Sequence, residues 1–437
     1  MSSSQFSISR LHRRPPSPKQ SPDNRPLYPY YAGYSDAFVE TLAEHLDAKE
    51  GILLDPWNGA GTTTAAASAL GIASIGVDLN PASLVIARAR LLSSEVVESL
   101  RALTDEVISN VSSAKVGQVD VDPLQAWFAP HSVVTLRAIE RSINRLLVDS
   151  GAKALGDLQA INSSFSSLAC LYYVALFRTV RLYMKDFRTT NPTWLHKSGE
   201  SRKLLAVPRN ELIRAFRVEM GSLEKKVRQL ELRYEGKCLA TLKLGSSEKL
   251  ALSDGKVDGV ITSPPYCTRI DYVVSTSPEL AILGFGKKAI RNLRGEMLGT
   301  PLMNRSVWKE AFSGEYVSVE SERAVSLLRY VKAHKSHGSA NYYHPFFAQY
   351  FYGMQRSLRE IARVSKATSP AIFVVQDSYF KKKRIDLASI LREMGEARGW
   401  HYLRSFRYQV RSRAMQNPLS RRYGRRTATE TVLIFTT

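Results

Sequence analysis

Two apolar periods share this chain. Residues Asp36 to Leu46 (DAFVETLAEHL) place apolar side chains at helical spacing. Gly51 to Asp55 (GILLD) is a short apolar run ending on an acid, and Ala73 to Val77 is a second, ending at Asp78. Between them, Thr62 to Leu70 reads as an alanine-rich helix. After them, Pro81 to Leu91 reads as another, with Pro81 in its first turn. Strand, helix, strand, helix is the signature of a parallel sheet. The alternation stops at about residue 92. From there to 237 the pattern is mostly helical, broken at Asp120 to Pro130 and at Thr189 to Pro192. Sheet signals return at Leu239 to Leu244 and Val257 to Thr262. A long helix is predicted over His344 to Val364, a strand over Ala371 to Asp377, and a helix over Asp386 to Ala397. Strands over Trp400 to Tyr408 and Glu430 to Thr436 close the chain. Seven strands result. Five alternate with helices, and the last two suit an antiparallel pair.

These spans divide the chain into a basic, Ser/Pro/Arg-rich arm (1–26) expected to be flexible, and a first α/β half (27–91). A helical insert (92–237) and a second α/β half (238–437) follow. The expected fold is α/β, a seven-stranded mostly parallel sheet with helices on both faces. No internal repeat is visible.

Composition narrows the function. The 437 residues are 44% hydrophobic and 23% charged, which fits a globular chain and excludes a mainly disordered one. The formal net charge of +21 suggests a polyanionic partner, nucleic acid before membrane; an idle basic surface is the other reading. Cys170, Cys238 and Cys267 are far apart and form no CxxC pair, against a zinc ribbon or redox motif. The N-terminus lacks the apolar core of a signal peptide, and the longest apolar run, Leu168 to Phe177, is too short to span a bilayer. A soluble, cytoplasmic, nucleoid-associated protein is expected.

Two motifs carry chemistry. In Asp55-Pro56-Trp57-Asn58-Gly59-Ala60-Gly61-Thr62-Thr63 a strand turns into a helix. Gly59 and Gly61 let the backbone approach a ligand, and the helix N-terminus favours an anion such as a carboxylate. A third glycine of a dinucleotide fingerprint would fall at Thr64 and is absent, as is a phosphate-loop lysine. A small nucleoside fits better than NAD or ATP. Asp78, after the second strand, can accept from both ribose hydroxyls; it also suits a helix N-cap before Pro81. The second motif is Thr262-Ser263-Pro264-Pro265-Tyr266. Its prolines fix φ and remove donors, so its carbonyls are outward acceptors. Ser263 adds an acceptor and Tyr266 a flat ring. This suits a planar heterocycle with an exocyclic amine, although SPPY alone also reads as an ordinary proline turn.

Together, DPWNGAGTT and TSPPY resemble the S-adenosylmethionine-dependent amino-methyltransferases of DNA, a family marked by DPFxGxGTT and S/D/N-P-P-Y/F. TSPPY is similar to the cytosine-N4 branch. The resemblance covers about 28–91 and 238–437. Its order, cofactor half first, is similar to the group whose target-recognition domain separates the halves. It implies a Rossmann-like methyltransferase fold with S-adenosylmethionine as cofactor. Asp55, Pro56, Asn58, Gly59, Gly61 and Thr62 would then line the methionine end, and Asp78 would bind the ribose. Tyr28-Pro29-Tyr30 resembles the family's N-terminal cofactor-contacting motif, which brings in Tyr28 and Tyr30. Ser263, Pro264, Pro265 and Tyr266 would hold the target base. DNA is the implied partner, with a paired restriction endonuclease or defence system, and no metal or membrane. Two features depart from the family. Gly245-Ser246-Ser247 stands where Gly-Asp is frequent, and the insert begins before the third strand.

An exocyclic amine is a poor nucleophile because its lone pair is delocalised into the ring. Two acceptors on its hydrogens localise that pair. A C5-cytosine enzyme would instead need a cysteine nucleophile, and Cys267, following Tyr266, reads as packing. Eight arginines between Arg404 and Arg426, with Tyr408 and Tyr423, and Lys381 to Arg384 are candidate DNA contacts. In the insert, Arg178, Arg181, Lys185, Arg188, Thr190, Asn191 and Trp194 are candidate base readers. His334 to His344 lacks carboxylate or cysteine partners for a metal. Adenine-N6 methylation remains open, because adenine also presents an amine beside a ring acceptor. An RNA amino-methyltransferase and a non-catalytic DNA-binding protein on the same fold are further readings.

Overall fold

The structure, a computed structural model, describes residues 5–19, 27–29, 33–48, 50–113, 122–148, 156–187, 189, 194–196, 203–231, 239–268, 270–302, 319–410 and 429–437. Its strands are β1 (Ile52–Asp55), β2 (Ala73–Asp78), β3 (Ala240–Leu244), β4 (Gly259–Thr262), β5 (Pro370–Gln376), β6 (Ser378–Phe380), β7 (Lys383–Ile385), β8 (His401–Gln409) and β9 (Thr429–Thr436). Seven of them form one sheet in the order β3-β2-β1-β4-β5-β9-β8. Neighbours from β3 to β5 run parallel, and β9 lies antiparallel between β5 and β8. The expected α/β, Rossmann-like methyltransferase fold is therefore present. Strands buried on both faces read as continuous apolar runs, which made them visible. The β6–β7 hairpin is an addition that the pattern did not predict.

Alternate side chains go to opposite faces. Leu53, Ile261, Ile372 and Ile434 join one core with α1 (Asp36–His45) and α2 (Thr62–Ala69). Leu54, Val260, Phe373 and Leu433 join another, on the opposite face.

Two features of the structure bear on the expected domains. The first concerns the N-terminal arm. Its described part, 5–19, is anchored: Phe6 is 5% and Leu11 2% exposed, both in the core around α1. These two apolar side chains are buried within a Pro/Arg-rich segment that also makes polar contacts to the sheet. The second concerns the insert. It is helical as expected, in α3 (Pro81–Ala89), which precedes it, then α4 (Leu100–Ser113), α5 (Pro130–Leu147), α6 (Leu158–Ser163), α7 (Ser167–Tyr183) and α8 (Arg209–Glu231). Yet it shares one continuous core with α3 and with α10 (Ser277–Ile282), which follows a short helix α9 (Tyr272–Ser275). Helix α3 is apolar around most of its circumference, so its outer face also needs cover. The apolar run Leu168 to Phe177 forms the first half of α7, buried from Ala169 on, and supplies that cover. No helix among the described residues is long and apolar enough to cross a membrane.

Candidate functional site

The chain runs from β1 outward to β3, then returns to β4 on the other side of β1. A crevice opens at such a reversal beyond the carboxyl ends of the strands. Asp55 ends β1, Asp78 ends β2 and Thr262 ends β4, so both motifs meet there.

Asp55 holds them together. Its Oδ1 accepts from Thr262 Oγ1 at 2.6 Å and from the Trp57 N–H at 3.1 Å. Its Oδ2 accepts from Thr63 Oγ1 at 2.6 Å and Tyr34 Oη at 3.2 Å. The residue is 3% exposed, and burial raises its pKa against these donors. A carboxylate has about four acceptor positions, so protein donors fill them. Asp55 therefore braces the loop.

The loop beyond it is tightly folded. Asn58 is buried, its N–H donates to Val77 O at 3.0 Å, and its amide lies where a Cβ on Gly76 would stand, 2.5 Å away. Gly61 has φ +79°, and a Cβ there would come within 2.7 Å of Ala87 on α3. Helix α2 starts at Thr62 without a side-chain cap. Arg90 reaches back to Ala60 O and Thr62 Oγ1, and pairs with Asp36 at 2.5 Å. Pro56 is buried and Gly59 has φ +50°.

Asp78 accepts one backbone N–H on each oxygen, from Asn80 on Oδ1 and Gly59 on Oδ2, both at 2.8 Å. Each oxygen keeps a second acceptor position. Burial pushes its pKa up to about 6. The cap of α3 is Asn80 rather than Asp78: its Oδ1 accepts from the Ala82 N–H and its Nδ2 donates to Thr276 Oγ1.

Ser263, Pro264, Pro265 and Tyr266 follow β4 outside any helix or strand. Tyr350 Oη, from the long helix described below, donates to Pro265 O at 2.8 Å, and Ser378 Oγ on β6 donates to Cys267 O at 2.6 Å. Among the described residues no donor bonds the Ser263 hydroxyl or the Pro264 carbonyl; Ser263 is half-buried, and Pro264 and Tyr266 are buried. Cys267 is fully buried and burial pushes its thiol pKa up, so it stays a neutral packing group.

Other predicted residues lie elsewhere. Tyr28 is buried, and its hydroxyl donates to Glu279, which also pairs with Arg181 at 2.5 Å. Arg178 pairs with Glu219 at 2.5 Å and donates to Leu27 O. Tyr28, Arg178 and Arg181 thus each have an internal polar partner. A polar atom can be satisfied from far away in sequence, and no local pattern reveals that. Lys185 and Trp194 are exposed. Arg384 pairs with Asp377 at 2.6 Å, while Lys381 and Lys383 stand over the rings of Tyr343 and Tyr330 at 5.2 and 5.7 Å. Arg404 and Arg407 are exposed on β8. Tyr30, Arg188, Thr190, Asn191 and the segment 411–428, with its six arginines and Tyr423, lie outside the described residues.

Sequence reasoning missed Tyr34, Asn80, Arg90 and Tyr350. Only Asn80 left a local signal, a capping residue directly before Pro81. Tyr350 sits on the helix predicted over His344 to Val364, here numbered after α11 (Lys287–Glu296) and α12 (Glu322–Ala333) as α13 (His344–Val364).

No family model matches the chain. It is 27% identical over 317 residues to the type II methyltransferase M.BsoBI of Geobacillus stearothermophilus, covering 64% of this chain and 57% of that protein. To the type II methyltransferase M.MvaI of Kocuria varians it is 23% identical over 397 residues, covering 86% and 81%. To the type II methyltransferase M.AvaI of Nostoc it is 31% identical over 151 residues, a third of this chain and 31% of that protein. The chain thus spans little over half the length of M.BsoBI and more of M.MvaI, and by these matches it is similar to type II methyltransferases.

Proposed function

We propose that the chain is a site-specific DNA methyltransferase that moves a methyl group from S-adenosylmethionine to the exocyclic 4-amino group of cytosine. The observation that carries this reading is the meeting of the two motifs through the Asp55–Thr262 bond, with no donor among the described residues on the Ser263 and Pro264 acceptors of the segment that carries Tyr266. The similarity to type II methyltransferases supports methyl transfer to DNA.

The residues present fit that cofactor. Asp78 has an acceptor position open on each oxygen for the ribose hydroxyls. The uncapped N-terminus of α2 suits a carboxylate. The buried indole N–H of Trp57 has no acceptor among the described residues, a further polar atom for a ligand to meet. Asn58, Gly59, Gly61 and Thr62 would shape this half of the crevice. When bound, S-adenosylmethionine supplies a methyl group made electrophilic by its sulfonium. The chain's own part is positioning. Tyr266 stacks on the extruded base. Ser263 Oγ and Pro264 O accept the two amine hydrogens, which localises the nitrogen lone pair and aims it. Alignment at ~3–3.5 Å supplies much of the rate. Half-buried Lys381 and exposed Lys383, Arg404 and Arg407 are proposed to meet DNA phosphates, and the helical segment 92–237 to recognise the target. The proposed setting is the cytoplasm, with DNA as partner and a paired restriction endonuclease or defence system as companion.

DNA from cells expressing the protein, sequenced by a method that separates the methylated bases, is expected to carry N4-methylcytosine at one short sequence. N6-methyladenine there would replace the base assignment; unmodified DNA would remove the activity.

Asp78→Ala is expected to weaken cofactor binding by ~1.5–3 kcal/mol, the range for hydrogen bonds to a charged group. Binding is also expected to depend on pH. The ionised carboxylate accepts from the hydroxyls, so binding favours that form. With the free carboxyl at about 6, affinity is full above that pH and falls as pH drops through it. Asp78→Asn should flatten the profile. Identical profiles for parent and Asp78→Asn in cofactor titrations would take Asp78 out of the ribose site.

A further inference from the structure

The anchored N-terminal segment runs the full height of the sheet and ends at the proposed base pocket. At the lower edge the Gln5 N–H donates to Asp258 Oδ1 at 3.0 Å, beside the start of β4. The Ser7 N–H bonds Leu46 O at 2.8 Å. Further along, the Arg14 guanidinium lies 4.6 Å over the Tyr408 ring and donates to Arg407 O at 2.7 Å. Tyr408 Oη donates to Pro15 O at 2.6 Å, and the Ser35 N–H to Pro18 O at 2.7 Å. This track delivers Lys19 to the upper edge. Lys19 Nζ donates to Gln376 Oε1 at 3.1 Å, lies 3.5 Å from Glu430 Oε1 and stands 5.6 Å from the centre of the Tyr266 ring. Gln376 and Glu430 are register partners on β5 and β9, so the sheet itself sets where the ammonium sits.

A lysine has three N–H donors. Gln376 and Glu430 take two, and no third acceptor lies within hydrogen-bond reach among the described residues. The pocket so far offers a base only acceptors, Ser263 and Pro264. A base with an exocyclic amine also carries a ring acceptor beside that amine, N3 in cytosine or N1 in adenine. Closed away from water, that acceptor needs a donor. At 5.6 Å from the ring centre the ammonium stands over the Tyr266 ring near the outer limit of a cation–π contact, farther out than the ~3.5 Å at which a stacked base would lie.

We propose that Lys19 is a base-contacting residue of the target site, donating its remaining N–H to the acceptor edge of the base stacked on Tyr266. This rests on the methyltransferase reading above. The test uses the full chain, labelled S-adenosylmethionine and unmethylated plasmid DNA, under single-turnover conditions. Lys19→Met keeps the stem and removes the donor; Lys19→Arg keeps donor and charge. Lys19→Met should slow transfer about five- to 150-fold, with cofactor affinity, which also reports a folded protein, unchanged. Lys19→Arg should regain most of the rate. Transfer by Lys19→Met at the parent's rate, or faster as expected for a plug, overturns the proposal, and so does an equal loss in both variants. A parent protein that binds the cofactor but labels no DNA overturns the methyltransferase reading itself, and this proposal with it.

Discussion

Replacing Tyr266 by Ala is expected to slow single-turnover methyl transfer by about a hundredfold or more, while cofactor affinity stays near the parent's. Stacking of a base on an aromatic ring is worth ~1–3 kcal/mol, and loss of alignment with the methyl donor adds to that. The backbone around the ring should survive the change. Tyr350 holds the Pro265 carbonyl and Ser378 holds the Cys267 carbonyl, so the segment is tied on both sides of residue 266. Tyr266→Phe and Tyr266→Trp keep a flat face and should retain part of the rate. Ser263→Ala removes one acceptor for the amine and should cost about five- to 150-fold, again without weakening cofactor binding. Rapid transfer by Tyr266→Ala would make the SPPY segment a structural turn, and the base pocket would have to lie elsewhere.

Asp55→Ala is expected to act on the fold before the chemistry. It strands four donors in a buried setting: the hydroxyls of Tyr34, Thr63 and Thr262 and the Trp57 N–H. An unsatisfied buried polar group costs ~1–3 kcal/mol, and the hydroxyls can partly re-pair with each other and with Ile261 O. A net loss of about 3–5 kcal/mol follows, together with loosening between β1, β4 and α2. Asp55→Asn retains one carbonyl oxygen and should lose less. Thermal unfolding of the three proteins, with cofactor titration where they remain folded, checks this. A melting temperature for Asp55→Ala within about a degree of the parent's would show that the network carries no stability.

The division between sequence and structure runs along the range of the interactions. Buried parallel strands must be apolar on both faces, and the turns that follow them need glycine or proline. Both demands are local, so the seven strands, their alternation with helices and the two motif turns could be placed from residue order alone. The α3 cap was expected at Asp78, and the structure places it at Asn80, directly before Pro81. Sequence also carried the chemistry of the open acceptors, because a proline pair constrains its own backbone wherever it lies.

Partners were not legible. Asp55 carries a charge that looks available in sequence, yet its acceptors are filled from Tyr34, Thr63 and Thr262, the last 207 residues away. Tyr28 and Arg181 looked like ligand and base contacts, yet both converge on Glu279. The helical segment read as a separate insert, yet α3 needs α7 to cover its outer face. Lys19 sits in a Pro/Arg-rich stretch that local pattern marks as loose, yet Gln376, 357 residues on, holds it beside Tyr266. Residue types and local periodicity determined the elements and the chemistry they could offer. Which polar atoms remained open to a ligand was decided only when the chain closed, because satisfaction of a buried group depends on neighbours that only tertiary packing supplies.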